Sequence, residues 1–212
     1  MKKIIALCVW VLLMFAWLTA GAEVIGPDVL IRNTVQEVLA IVKQDKDIQS
    51  GDKKKILELV DAKVLPHFDF ERMTRLAVGK SWRNATPEQK KTLVTEFRNL
   101  LVRTYTSAFT RYRDQAVDVK PFKLPAGADE ATVKTVILKP GAQSITVDYE
   151  MGKTADGWKA FDLTVEGASL VTTYRSTFSE QVQQGGIDGL VKMLVEKNQT
   201  VSNPPSRKVD SK

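Results

Sequence analysis

Cysteine and histidine are almost absent from this chain of 212 residues, which contains one of each. The cysteine, Cys8, lies inside an apolar run near the N-terminus, too early in that run for the lipid-modified cysteine of a lipoprotein. Beyond the run there is no thiol, which excludes disulfides, a thiol nucleophile and a thiolate metal site. The histidine, His67, follows Pro66 at a predicted helix end, and we expect it to be structural or exposed rather than catalytic.

Motifs for metals, phosphates and nucleic acids are also lacking. The sequence has no H-E-x-x-H, no acidic cluster with metal-ligand spacing and no glycine-rich loop after a predicted strand. The formal net charge of +6 is mild and includes no long basic block, which argues against a nucleic-acid partner. It is compatible with anionic membranes, acidic protein surfaces or an ordinary solvated surface. We therefore predict no catalytic residue, no metal ligand and no cofactor.

The N-terminus has the three parts of a secretory signal peptide. Lys2 and Lys3 precede an apolar run over 4–20, and Ala20-Gly21-Ala22 is a small-x-small cleavage site. The run is close to the roughly 20 residues that span a bilayer, so an uncleaved anchor is the alternative. We predict a signal peptide over 1–22, a periplasmic domain over 23–198 and a disordered tail over 199–212, where two prolines and several polar residues lack an apolar period.

Apolar residues three or four positions apart predict four helices before any strand. Thr86, Pro87 and Gln89 have the pattern of a cap, a first helical position and a capping box. Asp69 is a candidate cap for a short helix, and Gly79 is its candidate end. The predicted helices cover residues 27–43, 52–64, 69–78 and 86 to about 113.

Four strands are predicted next, over 117–122, 132–138 and the two arms of a hairpin within 144–165. The polar segment 152–157 is the predicted hairpin loop. After Gly167 the apolar period becomes helical, and Gly185-Gly186 separates that helix from a last short one. Helices, then sequential strands joined by short loops, then helices define an α+β pattern with an antiparallel sheet.

Two stretches resemble a known family. Residues 158–178 contain W-K-x-x-D, then V-E-G-x-S-L-V, then Y-R-x-x-F, and residues 65–105 contain LPHFDFERMTRLAVGKSW followed by T-P-E-Q-x-x-x-L-V-x-x-F. These segments resemble the toluene-tolerance (MlaC) family of periplasmic phospholipid-binding proteins, over roughly residues 29–198. The resemblance implies an NTF2-like fold, in which a curled four-stranded antiparallel sheet packs against a long helix, with additional helices before and after it.

An apolar pocket between sheet and helices is the predicted site. Alternation places Asp148, Glu150 and Asp162 on the outer face, so no carboxylate pair points inward for acid–base chemistry. The predicted lining comes from the hairpin, the long helix, the helix before it and the helix after it. These residues are Val147, Tyr149, Phe161, Leu163, Val165, Phe97, Leu101, Tyr105, Met73, Leu76, Leu170 and Tyr174.

Three kinds of function remain open: a carrier of lipid chains, an isomerase-like or hydratase-like enzyme on the same fold, and a periplasmic chaperone. The lack of inward carboxylates and of a second histidine favours the carrier, with phospholipid as cargo. The resemblance implies two partners, an inner-membrane transporter with an MCE-domain subunit and an outer-membrane lipoprotein complex. It also implies transport between the two membranes that maintains outer-membrane lipid asymmetry. Near the predicted pocket, one or two cations are candidates for contacting the lipid phosphate: Arg72, Arg75, Lys80 and Arg83.

Overall fold

The structure, a computed structural model, describes residues 25–106, 116–138, 141 and 143–202. Helices come first in the chain: α1 (Pro27–Gln44), α2 (Lys46–Ser50), α3 (Lys53–Lys63), α4 (Phe70–Val78) and α5 (Pro87–Tyr105). Two 3-10 turns, Leu65–His67 and Gly79–Asn84, flank α4. Five strands follow, β1 (Ala116–Val119), β2 (Glu130–Leu138), β3 (Ile145–Thr154), β4 (Gly157–Val165) and β5 (Ala168–Ser169), and α6 (Leu170–Ser202) comes after them.

The predicted starts of α3, α4 and α5 are confirmed by their caps. Thr86 and Gln89 form a reciprocal capping box at the start of α5, which satisfies two backbone N–H groups that the helix itself leaves unpaired. The Asp69 carboxylate accepts from the Arg72 N–H at 2.8 Å, and Asp52 caps α3 in the same way. The predicted end of α5 near 113 lies outside the described residues. The short helix α2 was not predicted, because five residues are too few for an apolar period to emerge.

The sheet is antiparallel, with the strands in sequence order from β1 to β5. The α+β prediction is confirmed, but the sheet has five strands rather than four. Glu166 and Gly167 both have positive φ, 49° and 84°, as a two-residue hairpin turn requires, so a two-residue strand forms before α6. β1 ends at Val119 instead of the predicted 122, because Pro121 has no N–H to donate to the ladder.

The last helix, α6, is bent at the predicted break. Gly185 and Gly186 leave helical geometry, Gly186 with φ 65° and ψ −165°. The helix then continues to Ser202, four residues into the segment predicted to be disordered. Asn198 explains part of this extension, since its side-chain amide donates to the Glu96 carbonyl of α5 at 2.9 Å. Residues 203–212 and the predicted signal peptide lie outside the described residues.

In the described part of the chain, three groups of buried apolar residues hold the fold together. The helical core joins α4, α5 and α6 and includes Met73, Leu93, Phe97, Leu101 and Phe178. The sheet core joins the start of α1 to the inner face of the sheet and includes Ile31, Val119, Val133, Met151, Trp158 and Ala160. The N-terminal cluster joins α1, α2 and α3 and includes Val38, Val42, Ile48, Ile56, Leu59 and Val60. Among the described residues, no helix is long and apolar enough to cross a membrane.

Candidate functional site

A cavity of about 350 Å³ lies where the three apolar groups meet. Each group contributes a wall: Met73 and Leu101 come from the helical core, Ile31 and Ala160 from the sheet core, and residues of α1 and α3 from the N-terminal cluster. Phe68, which also lines the cavity, packs against both the helical core and the sheet core. A ligand in this space would contact all three at once.

The sheet wall is formed by two cross-strand pairs. Val147 lies opposite Val165, and Tyr149 lies opposite Leu163, on adjacent strands β3 and β4. All four side chains line the cavity, as their alternation with polar residues predicts. Val117 and Ile137 extend the same wall across β1 and β2.

Helix α1 forms a second wall, and sequence reasoning did not assign it to the site. The sequence shows its apolar stripe, but a stripe alone does not reveal whether it faces a filled core or an open space. Short aliphatic side chains dominate this wall and its continuation through α3 to the turn before α4. They are Ile31, Val35, Val38, Leu39, Val42, Val60, Val64 and Leu65.

Of the predicted site residues, eight line the cavity and four do not. The eight are Met73, Leu101, Tyr105, Val147, Tyr149, Leu163, Val165 and Leu170. Leu76, Phe97, Phe161 and Tyr174 belong instead to the helical core or pack against it. Phe97 is fully buried there, with ring centroids 5.0 Å from those of Tyr174 and Phe178, so the predicted facing of Phe97 to the sheet is wrong.

The prediction for Phe161 is wrong because β4 contains a bulge. Glu150 pairs with Asp162 while its neighbour Met151 pairs with Ala160, which leaves Phe161 without a partner on β3. A bulge shifts the alternation by one residue. Ala160 therefore takes the cavity-facing position, and Phe161 lies under the guanidinium of Arg72, 3.4 Å from its ring centroid.

Polar groups in the cavity wall are few and uncharged. Burial lowers the pKa of His67; Glu37 opposes this and Lys159 adds to it, so the imidazole is neutral at pH 7. Burial raises the pKa of Tyr149, against a smaller opposing effect of its hydrogen bond with Thr135. Thr34, Tyr105 and Thr106 are the other polar residues of the lining within the described part of the chain. Among the described residues, no aspartate, glutamate, lysine or arginine lines the cavity.

The charged side chains that were predicted near the cavity lie outside it. Some are paired with other side chains, and the rest are exposed to solvent. On the outer face of the sheet, Asp148 pairs with Lys134 at 3.3 Å, and Glu150 accepts from the Thr132 hydroxyl. Arg72 pairs with Glu130 while it stacks on Phe161. The other three cations predicted near the pocket, Arg75, Lys80 and Arg83, are exposed and do not line it.

A curled antiparallel sheet and helices surround a cavity whose described lining is mainly apolar and carries no charged side chain, which is the class of pocket that suits apolar ligands. A family model described as MlaC protein matches residues 32–196. The chain belongs to this family, as the resemblance over roughly 29–198 predicted.

Relatives cover nearly the whole chain. The toluene tolerance protein ttg2D of Pseudomonas putida is 24% identical over 202 residues, which is 92% of this chain and 93% of the relative. The intermembrane phospholipid transport system binding protein MlaC of Haemophilus influenzae is 19% identical over 207 residues, 96% and 95% of the two chains. A phospholipid-binding protein from Ralstonia solanacearum, solved in complex with a phospholipid, has a TM-score of 0.78 and 35% identity, covering 84% of this chain and 99% of that one.

Proposed function

We propose that this protein binds phospholipids by enclosing their acyl chains in the cavity. The observation that carries the proposal is the cavity itself, about 350 Å³ in volume and lined, among the described residues, by no charged side chain. Its volume falls in the range of roughly 300–1,000 Å³ that is typical of small-molecule sites. The relative from Ralstonia solanacearum, solved with a phospholipid, supports this ligand class.

The apolar lining meets the energetic requirement for carrying an acyl chain. Each methylene that leaves a bilayer for water costs ~0.8 kcal/mol, so a two-chain lipid does not exchange through water at a useful rate. A carrier has to replace the bilayer interior with apolar contacts of its own. The sheet, α1 and α5 provide these contacts on three sides.

The headgroup then remains at the surface. Because no charged side chain among the described residues lines the cavity, a phosphate placed inside would have no counterion, and an unpaired buried charge is strongly disfavoured. Arg72 is already engaged by Glu130 and Phe161. We therefore propose that the protein accepts phospholipids with several headgroups.

Binding, and not catalysis, is the function that the geometry favours. General acid–base chemistry needs a group within hydrogen-bond reach of the reacting atom. Asp148, Glu150 and Asp162 have hydrogen-bond or ion-pair partners away from the cavity. His67 is the one strong acid–base candidate in the described lining, and no carboxylate of that lining is present to orient it.

We further propose that the protein is a periplasmic shuttle. It would carry phospholipid between an outer-membrane lipoprotein complex and an inner-membrane transporter with an MCE-domain subunit, and so maintain outer-membrane lipid asymmetry. The name of the Haemophilus influenzae relative, a binding protein of an intermembrane phospholipid transport system, supports this role. Docking partners are also required physically, because enclosed acyl chains leave slowly unless a second apolar site is offered.

Extraction of the purified protein with organic solvent tests the ligand. We expect mass spectrometry of the extract to recover phospholipids of several headgroup classes, in amounts comparable to the protein. An unrelated periplasmic protein prepared in parallel measures carry-over from membranes. Repeated preparations without phospholipid would overturn the proposal.

The intact mass of the exported protein tests the location. We expect a mature chain that begins at Glu23, recovered from the periplasmic fraction, since the cleavage motif ends at Ala22. A chain that keeps Met1 and sediments with membranes would show that residues 1–22 are an anchor.

A further inference from the structure

Beside the cavity the chain turns from β4 through β5 into α6, and a single carboxylate accepts hydrogen bonds from all three elements. Asp162 lies on β4 next to the bulge, on the outer face of the sheet. Its Oδ1 accepts from the Leu163 N–H at 2.8 Å and from the Val171 N–H at 3.0 Å. Its Oδ2 accepts from the Ser169 hydroxyl at 2.5 Å. One side chain thus binds the end of β4, the end of β5 and the first turn of α6.

This carboxylate replaces missing main-chain partners. β5 ends at Ser169, opposite Thr164, so Leu163 has no β5 residue opposite it. α6 begins at Leu170, and the first N–H groups of a helix have no partner within that helix. Ser169 assists, since its Oγ accepts from the Thr172 N–H at 3.0 Å. Asp162 and Ser169 together satisfy three backbone donors, those of Leu163, Val171 and Thr172.

The residues held in this way face two different apolar regions. Leu163 and Leu170 line the cavity from the sheet and from the start of α6, whereas Val171 is buried in the helical core. The carboxylate thus bonds Leu163 on one side of the turn and, on the other, Ser169 and Val171, which flank Leu170, and it does not itself line the cavity. Two neighbouring carboxylates on this face, Asp148 and Glu150, have no such role, because each bonds a side chain of β2.

We propose that Asp162 is a positioning residue for ligand binding: it holds Leu163 and Leu170 at the spacing that the bound acyl chain requires. This inference rests on the proposed phospholipid binding. It assigns a ligand-directed role to the aspartate of the W-K-x-x-D segment, which otherwise reads as an outward-facing surface carboxylate. Hydrogen bonds to a charged group are stronger than those between neutral groups, so losing them leaves both leucines free to move.

The test compares four proteins: wild type, Asp162→Ala, Asp162→Asn and the control Glu150→Gln. Glu150 is the cross-strand partner of Asp162 and lies on the same face. Affinity for a fluorescent phosphatidylglycerol is measured on delipidated protein, at a temperature where circular dichroism shows every variant folded. We expect Asp162→Ala to bind about tenfold more weakly, corresponding to 1.4 kcal/mol. Glu150→Gln should match wild type. Asp162→Asn should recover most of the affinity, because its amide oxygen still accepts from Leu163 and Val171.

A second measurement separates positioning from a general loss of stability. Leu170→Ala should weaken binding strongly in the wild-type background and much less in the Asp162→Ala background, because there Leu170 is no longer held in the wall. If Asp162→Ala does not fold, Ser169→Ala replaces it, with a smaller expected loss of affinity.

Each outcome has a distinct meaning. Wild-type protein that fails to bind the lipid overturns the proposed function and this inference with it. Normal lipid binding by both wild type and Asp162→Ala, or equal effects of Leu170→Ala in the two backgrounds, overturns this inference alone.

Discussion

The helical core and the cavity lie side by side, and α5 contributes to both. Phe97 is fully buried between the rings of Tyr174 and Phe178. Leu101 and Tyr105, one and two turns later on the same helix, line the cavity. The facing elements account for the difference. Large aromatic side chains of α6 fill the space beside Phe97, whereas the sheet and α1 present mainly valine, leucine and isoleucine, which do not meet across the gap. An apolar stripe therefore becomes packed core or cavity wall according to its neighbours.

The largest effect is expected in the filled region. Phe97→Ala removes a ring that has no exposed surface, and such truncations cost about 3–5 kcal/mol. Chemical denaturation followed by circular dichroism measures the loss. Tyr105→Ala is the matched control on the same helix, because Tyr105 is 41% exposed, and we expect it to cost less than about 1 kcal/mol. Equal losses at the two positions would remove the distinction between core and cavity.

The bend in α6 is the next test, because the second half of this helix returns Leu190 and Leu194 to the helical core. Gly186 has φ 65°, whereas Gly185 has φ −137°. We expect Gly186→Ala to lower the free energy of unfolding by about 1–3 kcal/mol, since a side chain strains this backbone conformation. Gly185→Ala should cost clearly less. The same loss for both variants would mean that the backbone angle at Gly186 is not what matters.

Filling the cavity should change ligand content more than stability. In a packed core, an enlarged side chain costs about 1–3 kcal/mol. We expect at least one of Val147→Trp and Leu163→Trp to have a free energy of unfolding within about 1 kcal/mol of wild type. The same variant should carry little phospholipid. Leu138→Trp, on the exposed end of β2, is the control and should keep its lipid. If each of the two cavity variants is either unfolded or still fully loaded with phospholipid, this wall is ordinary packed core.

The smallest effect concerns pH. Burial lowers the pKa of His67 in the folded protein, so the unfolded chain binds more protons as the pH falls through the usual histidine value of about 6.5. The contribution of the neutral imidazole to folding stability is therefore present at neutral pH, and it decreases as the pH falls below about 6.5. We expect His67→Phe to lose less thermal stability than wild type between pH 7 and pH 5. Parallel pH profiles for the two proteins would contradict this effect.

Several features of the site were predictable because they depend on near neighbours in sequence. Val147, Tyr149, Leu163 and Val165 alternate with polar residues, and the hairpin brings them into two facing pairs. Thr86 with Gln89, and Asp69 with Arg72, form caps within a single helical turn. The outward position of Asp148 follows from the same alternation.

Other features depend on packing between distant segments. The bulge that turns Phe161 away from the cavity is defined by its pairing with β3, and β4 alone gives no sign of it. Two of the three bonds of Asp162, those from Ser169 and Val171, require β5 and α6 to return to β4. The α1 wall appears only when that helix lies across the sheet, 100 residues or more from the hairpin it faces.

The sequence by itself determined the family, the α+β class, most helix and strand positions and the absence of thiol chemistry after the N-terminal run. These depend on composition, local period and short motifs, each of which acts within a few residues. Only the tertiary structure decided which apolar residues surround open space. A cavity is a volume that no side chain fills, and its existence depends on the distances between elements that are far apart in the chain. That is why Leu163 and Phe161, two residues apart on one strand, contact the cavity and the helical core respectively.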